Sequence, residues 1–111
     1  MTLPEPPASP LRLTIDEQSL AANWRALDRL SGNAATGAAV KADGYGLGAS
    51  RVVRVLKEAG CRDFFVAHWS EAAQISALVD PASIAVLHGP LNEVDVAYAR
   101  ASGLRLSLIH I

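Results

Sequence analysis

One lysine closes an apolar run in this chain. In "AAVKADGYGLGA" (38–49), Lys41 follows Ala38, Ala39 and Val40, and Tyr45 stands among Gly44, Gly46 and Gly48. An amine at the end of a buried strand is partly desolvated. Desolvation favours the neutral form, which is the form that attacks a carbonyl. That is what a Schiff base with pyridoxal phosphate requires. The alternating glycines remove side chains, so a flat aromatic cofactor can approach the backbone. Tyr45 offers a hydroxyl that can donate to a phosphate without adding charge. Asp43 reads as a turn or cap residue, outside the chemistry.

The other reactive side chains point to less. His68 and His88 each follow a strand candidate and would share one end of a sheet with Lys41, but two histidines without a third ligand make a weak metal pattern. They read as rim packing or loop hydrogen bonding. Cys61 is the single cysteine, which excludes an internal disulfide or a multi-thiolate metal site and makes a reducing cytoplasm the default. It reads as an inert, partly buried thiol. Trp24 reads as a core anchor, and Trp69 as rim packing or an interface residue.

These residues need elements to hold them. The opening "MTLPEPPASP" carries four prolines in ten residues and reads as a disordered lead. It lacks the basic start and apolar centre of a signal peptide. "LRLTI" (11–15) is a short strand candidate, and Asp16 is placed to cap a helix running to about Leu30, with Leu20, Trp24 and Leu27 on one face. "TGAAVKA" (36–42) reads as a buried strand, followed by a helix over 49–59 with Val52, Val55, Leu56 and Ala59 inward and Gly60 as its stop. The pattern then recurs. "FFVA" (64–67) is a strand, Ser70 a cap for a helix to about Val79, and "IAVL" (84–87) the next strand. Asn92 caps a helix to about Ala101, Gly103 stops it, and "LRL" (104–106) opens one more strand. Alternating strands and helices imply parallel strands, because each return crosses through a helix. The pattern alone leaves open both the doubly wound sheet and the (β/α)8 barrel. For the barrel, it holds about three to four of the eight βα units, where a whole barrel takes about 250 residues.

The formal net charge is −1, which leaves no basic surplus for nucleic acid or an acidic membrane. No apolar run approaches the ~20 residues of a membrane helix.

"AVKADGYGLGA" resembles the pyridoxal-phosphate signature of the alanine racemases, and "LRLTIDEQSLAANWRAL" and "FFVAHWSEA" resemble flanking parts of that family over residues 11–105. The resemblance implies the N-terminal part of a (β/α)8 barrel, followed in the family by a β-rich domain. It implies that Lys41 carries the cofactor as a Schiff base and acts as the base on the D-alanine face, and that Tyr45 bonds the cofactor phosphate. It further implies a homodimer with composite sites, alanine as the small-molecule substrate, and D-alanine supply for cell-wall peptidoglycan. The family's second base is a tyrosine of the other subunit's C-terminal domain, and the arginine beside its pyridine nitrogen lies later in the barrel. "LSLIHI" (106–111) resembles the translation of a sequencing-library adapter and is expected to be a non-native tail on a truncated chain, so His110 is given no role.

Two rivals are set against this reading. Gly44-x-Gly46-x-x-Ala49 matches a dinucleotide-binding fingerprint, but no acidic residue ends the next strand as that site requires. A non-catalytic pyridoxal-phosphate-binding barrel, serving cofactor homeostasis, would share the strand-end lysine. Its loop resembles a shorter S-K-T pattern.

Overall fold

The computed structural model describes residues 3–106. Four short strands, β1 (Ala38–Ala39), β2 (Phe64–Val66), β3 (Ile84–Val86) and β4 (Arg105–Leu106), pair in parallel in the order β1-β2-β3-β4. Strand order equals chain order. A doubly wound sheet would reverse direction at a switch point; a monotonic order is that of a barrel wall, and it removes the ground for the dinucleotide rival. The register sets Ala39 beside Phe65, Phe65 beside Ala85 and Ala85 beside Arg105.

Helix α1 (Glu17–Leu30) precedes β1, and helices α3 (Ala49–Ala59), α4 (Trp69–Ile75) and α5 (Glu93–Ser102) form between successive strands, with a short turn-like element α2 (Lys41–Tyr45) directly after β1. Asp16 caps α1, its Oδ1 accepting from Ser19 N at 3.0 Å. Asn92 caps α5 by accepting from Asp95 N at 2.9 Å. Gly60 and Gly103 end α3 and α5 in the left-handed region. The two side-chain caps satisfy N–H groups that a helix start leaves unpaired, while the N–H groups of Gly60 and Gly103 donate to carbonyls of the last turn.

The core lies between the sheet and α3 and α4. Val53, Phe64, Val66, Ala72, Ile75, Ile84 and Val86 are all fully buried there. Each of these side chains other than Ala72 contributes about 1.5–3 kcal/mol by leaving water. Val53 joins Val52, Val55 and Leu56 in the core, so α3 buries a wider stripe than the expected one, because it meets α1, α2 and α4 at once. Trp24 packs against the core from α1, with Nε1 donating to Thr36 O at 3.2 Å. Cys61 is buried, and burial pushes its thiol pKa up.

Several local expectations are corrected. Residues 11–15 form no strand; Leu11 and Leu13 are 84% and 76% exposed, since no edge lies beside them among the described residues to complete a ladder. Leu27 is 58% exposed, although α1 packs on α3. The strand predicted over 36–42 narrows to two residues, because the backbone turns at Val40. Ser70 does not cap α4. That helix starts at Trp69, with His68 at the cap position, and stops at Ile75 rather than near Val79. The predicted tail falls largely on residues outside those described; of it only Leu106 is placed, in β4.

Candidate active site

Lys41 stands at the carboxyl end of β1, half-buried. By register, Ala67 and Leu87 occupy the same level two residues beyond Phe65 and Ala85, so His68 and His88 emerge at the ends of β2 and β3 beside it. The two imidazoles pack edge to face with centroids 4.3 Å apart, the rim packing expected of them. No group of three metal-ligating side chains occurs among the described residues.

The backbone after Lys41 is unusual. Ala42, Asp43, Gly44 and Tyr45 run consecutively through the left-handed region, with φ of 53°, 54°, 67° and 56°. L-residues adopt that conformation at a cost of roughly 1–2 kcal/mol each, and three of the four carry a Cβ. Internal hydrogen bonds close the turn: Gly44 N to Val40 O at 2.9 Å, Gly46 N to Ala42 O at 3.0 Å and Gly48 N to Asp43 O at 2.8 Å. Asp43 Oδ1 accepts from Ala49 N at 2.9 Å, joining the turn to the start of α3. This is the turn-and-cap role read from the sequence.

Gly44 acts differently from expectation. A Cβ at Gly44 would lie 3.2 Å from Val52 Cγ2 and 3.3 Å from Ala49 backbone atoms. The missing side chain there lets the turn seat against α3; it does not open space toward a ligand. Gly46 and Gly48 face open space, and their positive φ is what calls for glycine. Tyr45 is 62% exposed.

One residue escaped the sequence reading. Glu71, in the first turn of α4, accepts from Ala42 N at 2.6 Å through Oε2, and from Ala67 N and His68 N at 2.9 Å each through Oε1. Burial opposes its charge, but these N–H groups outweigh burial and hold the carboxyl below its ordinary range. The available signal was its position three residues after His68, the glutamate place of a capping box.

Of the chain's two lysines, Lys57 donates its Nζ to Leu78 O at 2.7 Å, on the far side of α3. Neither ion pair among the described residues, Arg54–Glu17 nor Arg105–Asp63, engages Lys41. The arrangement therefore presents an uncommitted amine at a strand end, on a rigidly closed turn.

The family model described as "Alanine racemase, N-terminal domain" matches residues 15–110. The chain belongs to the alanine racemase N-terminal domain family. An alanine racemase of Methylobacterium nodulans is 49% identical over 94 residues, covering 85% of this chain and 25% of that protein. One of Dinoroseobacter shibae is 56% identical over 70 residues, 62% of this chain and 20% of its own length. Among solved structures, an alanine racemase from Bartonella henselae with covalently bound pyridoxal phosphate superposes with a TM-score of 0.76 at 38% identity, over 85% of this chain and 27% of that one. The chain thus spans about a quarter of the length of the relatives it matches. The likeness to the N-terminal barrel of alanine racemases establishes a partial (β/α)8 barrel with parallel strands.

Proposed function

We propose that this chain is the lysine-bearing part of an alanine racemase that uses pyridoxal 5'-phosphate to interconvert L- and D-alanine. The observation that carries this reading is Lys41. In a chain of this family, it is a half-buried amine, in no ion pair among the described residues, at the carboxyl end of a barrel strand, and parallel α/β folds assemble their active sites at that end.

The residues fit the cofactor. Lys41 Nζ is free to attach it covalently, while Lys57 is held elsewhere. The exposed Tyr45 can donate its hydroxyl to the phosphate. Glu71 stands near the turn as a carboxylate, but its oxygens are occupied by backbone N–H groups and do not compete for the amine. When bound, the cofactor withdraws electrons from the amino acid and so acidifies its α-hydrogen. Lys41 Nζ, released from the cofactor when the amine of the amino acid takes its place, would take and return the α-proton on the D-alanine face. The proton on the other face is handled by a base outside residues 1–111, supplied across a homodimer. The D-alanine formed supplies cell-wall peptidoglycan from the cytoplasm. Among the described residues no helix is long and apolar enough to cross a membrane.

The test is borohydride reduction of the complete enzyme loaded with pyridoxal phosphate, followed by peptide mapping. The adduct is expected on Lys41 and absent in Lys41→Ala, together with loss of racemisation. An adduct on Lys57, or one retained in Lys41→Ala, would sink the assignment. Cofactor binding at Lys41 without racemisation would favour the non-catalytic carrier.

A further inference from the structure

We propose that Glu71 is a positioning residue for Lys41, its carboxylate holding the left-handed turn in the conformation that presents the amine. This inference rests on the assignment of Lys41 as the cofactor lysine.

Lys41 is followed at once by a backbone that L-residues do not adopt unaided. Ala42 is the first left-handed residue, at φ 53° and ψ 45°, and its N–H is the group Glu71 Oε2 takes at 2.6 Å. The bond fixes the peptide that joins Lys41 to Ala42. The other oxygen, Oε1, is anchored on Ala67 N and His68 N at the end of β2. One carboxylate thus ties the turn after β1 to the turn after β2. Those two strands are neighbours in register, so the amine is referenced to the sheet and not only to its own turn. Asp43 secures the far end of the same turn on Ala49 N. A carboxylate serves here where an amide would not. All three partners are donors, and both oxygens must accept, whereas glutamine would turn an NH2 group against at least one N–H.

Two ideas compete for Glu71. In one it merely caps α4 through Ala67 and His68. In the other it also pays the conformational cost of the Ala42 turn. They separate in a double-mutant cycle. Glycine at position 42 takes the left-handed conformation without penalty, so Ala42→Gly should make the clamp less necessary. A pure α4 cap would show no such coupling.

The experiment uses the complete enzyme in four forms: wild type, Glu71→Gln, Ala42→Gly and the double variant. Two readouts are followed, the rate at which apoenzyme gains the borohydride-reducible adduct on Lys41, and amide hydrogen exchange of the 40–48 segment in apoenzyme. Losing a hydrogen bond to a charged acceptor corresponds to about a ten- to hundredfold change. Glu71→Gln should therefore form the adduct about tenfold or more slowly and exchange faster in 40–48. The deficit should shrink in the Ala42→Gly background. Unchanged rate and exchange in Glu71→Gln would overturn the proposal, as would an equal deficit in both backgrounds. If Glu71→Gln does not fold, a folded double variant supports the proposal. Failure of both to fold assigns Glu71 to the α4 cap and overturns it. If wild-type enzyme forms no adduct on Lys41 at all, the assignment of Lys41 has failed, not the clamp.

Discussion

The chain leaves β1 and β2 at the same level of the sheet but by opposite means. After β2, the backbone passes through His68 in extended conformation and enters α4 directly, with Glu71 accepting from the residues ahead of the helix. After β1, it spends five residues, Ala42 to Gly46, in left-handed conformation before α3 can begin. The first turn follows ordinary helix-capping chemistry. The second carries a conformational cost and is held by carboxylates at both ends, Glu71 at Ala42 and Asp43 at Ala49. The difference shows where the fold stores strain. It lies in the turn next to the amine, as backbone strain tends to lie at functional sites, and not in the turn that only starts a helix.

The sharpest way to break this contrast is Gly44→Ala. The new Cβ would stand 3.2 Å from Val52 Cγ2 and at φ +67°, combining overpacking with left-handed strain. A loss of about 2–4 kcal/mol in unfolding free energy is expected by chemical denaturation of the complete enzyme. A loss under about 0.5 kcal/mol would mean that the turn is not seated on α3 as described.

Tyr45→Phe tests the same turn through the ligand. It would remove the proposed hydrogen bond to a charged acceptor, about 1.5–3 kcal/mol, so pyridoxal phosphate should bind roughly tenfold or more weakly in an equilibrium titration. Unaltered affinity would place the hydroxyl away from the phosphate.

Acid should distinguish the two turns' common tie. Glu71 has a folded pKa below its unfolded one, so its contribution to stability is present at neutral pH, above the unfolded value. It is lost as pH falls through the depressed folded value. Glu71→Gln should flatten the acid limb of a stability-against-pH curve while leaving the neutral-to-alkaline slope unchanged. An identical acid limb in wild type and variant would remove Glu71 as a native-state hydrogen-bonded carboxylate.

The smallest effects concern helix starts. Asn92→Ala removes the cap that accepts from Asp95 N and should cost about 1 kcal/mol. Ser70→Ala lies inside α4, not at its cap, and should change stability by less than about 0.5 kcal/mol. Equal losses in thermal melts would restore Ser70 as the cap and undo the comparison between the turns.

Much of this was legible in the residues themselves. Asp16, Asn92, Gly60 and Gly103 mark helix ends by local chemistry, since a cap needs only its own side chain and the next few N–H groups. The alternation of apolar runs and helical spacing gives parallel strands, because the connection between them admits nothing else. "AVKADGYGLGA" singles out Lys41 as the proposed cofactor lysine by residue type and spacing. What lay beyond local reading depends on neighbours remote in sequence. Leu11 and Leu13 look like strand residues, but a strand exists only beside a partner. Gly44 looks like clearance for a ligand, yet the space it leaves is taken by Val52 and Ala49. Glu71 lies thirty positions after Lys41 in the chain and reads as one more helix-surface carboxylate, until the pairing of β1 with β2 brings Ala42 N to its oxygen. Sequence by itself determined which residue is proposed to carry the chemistry and which elements flank it, because those are matters of residue type and short-range spacing. Only the tertiary structure decided what holds that residue in place, because the hydrogen bond responsible forms across two adjacent strands and no local pattern encodes it.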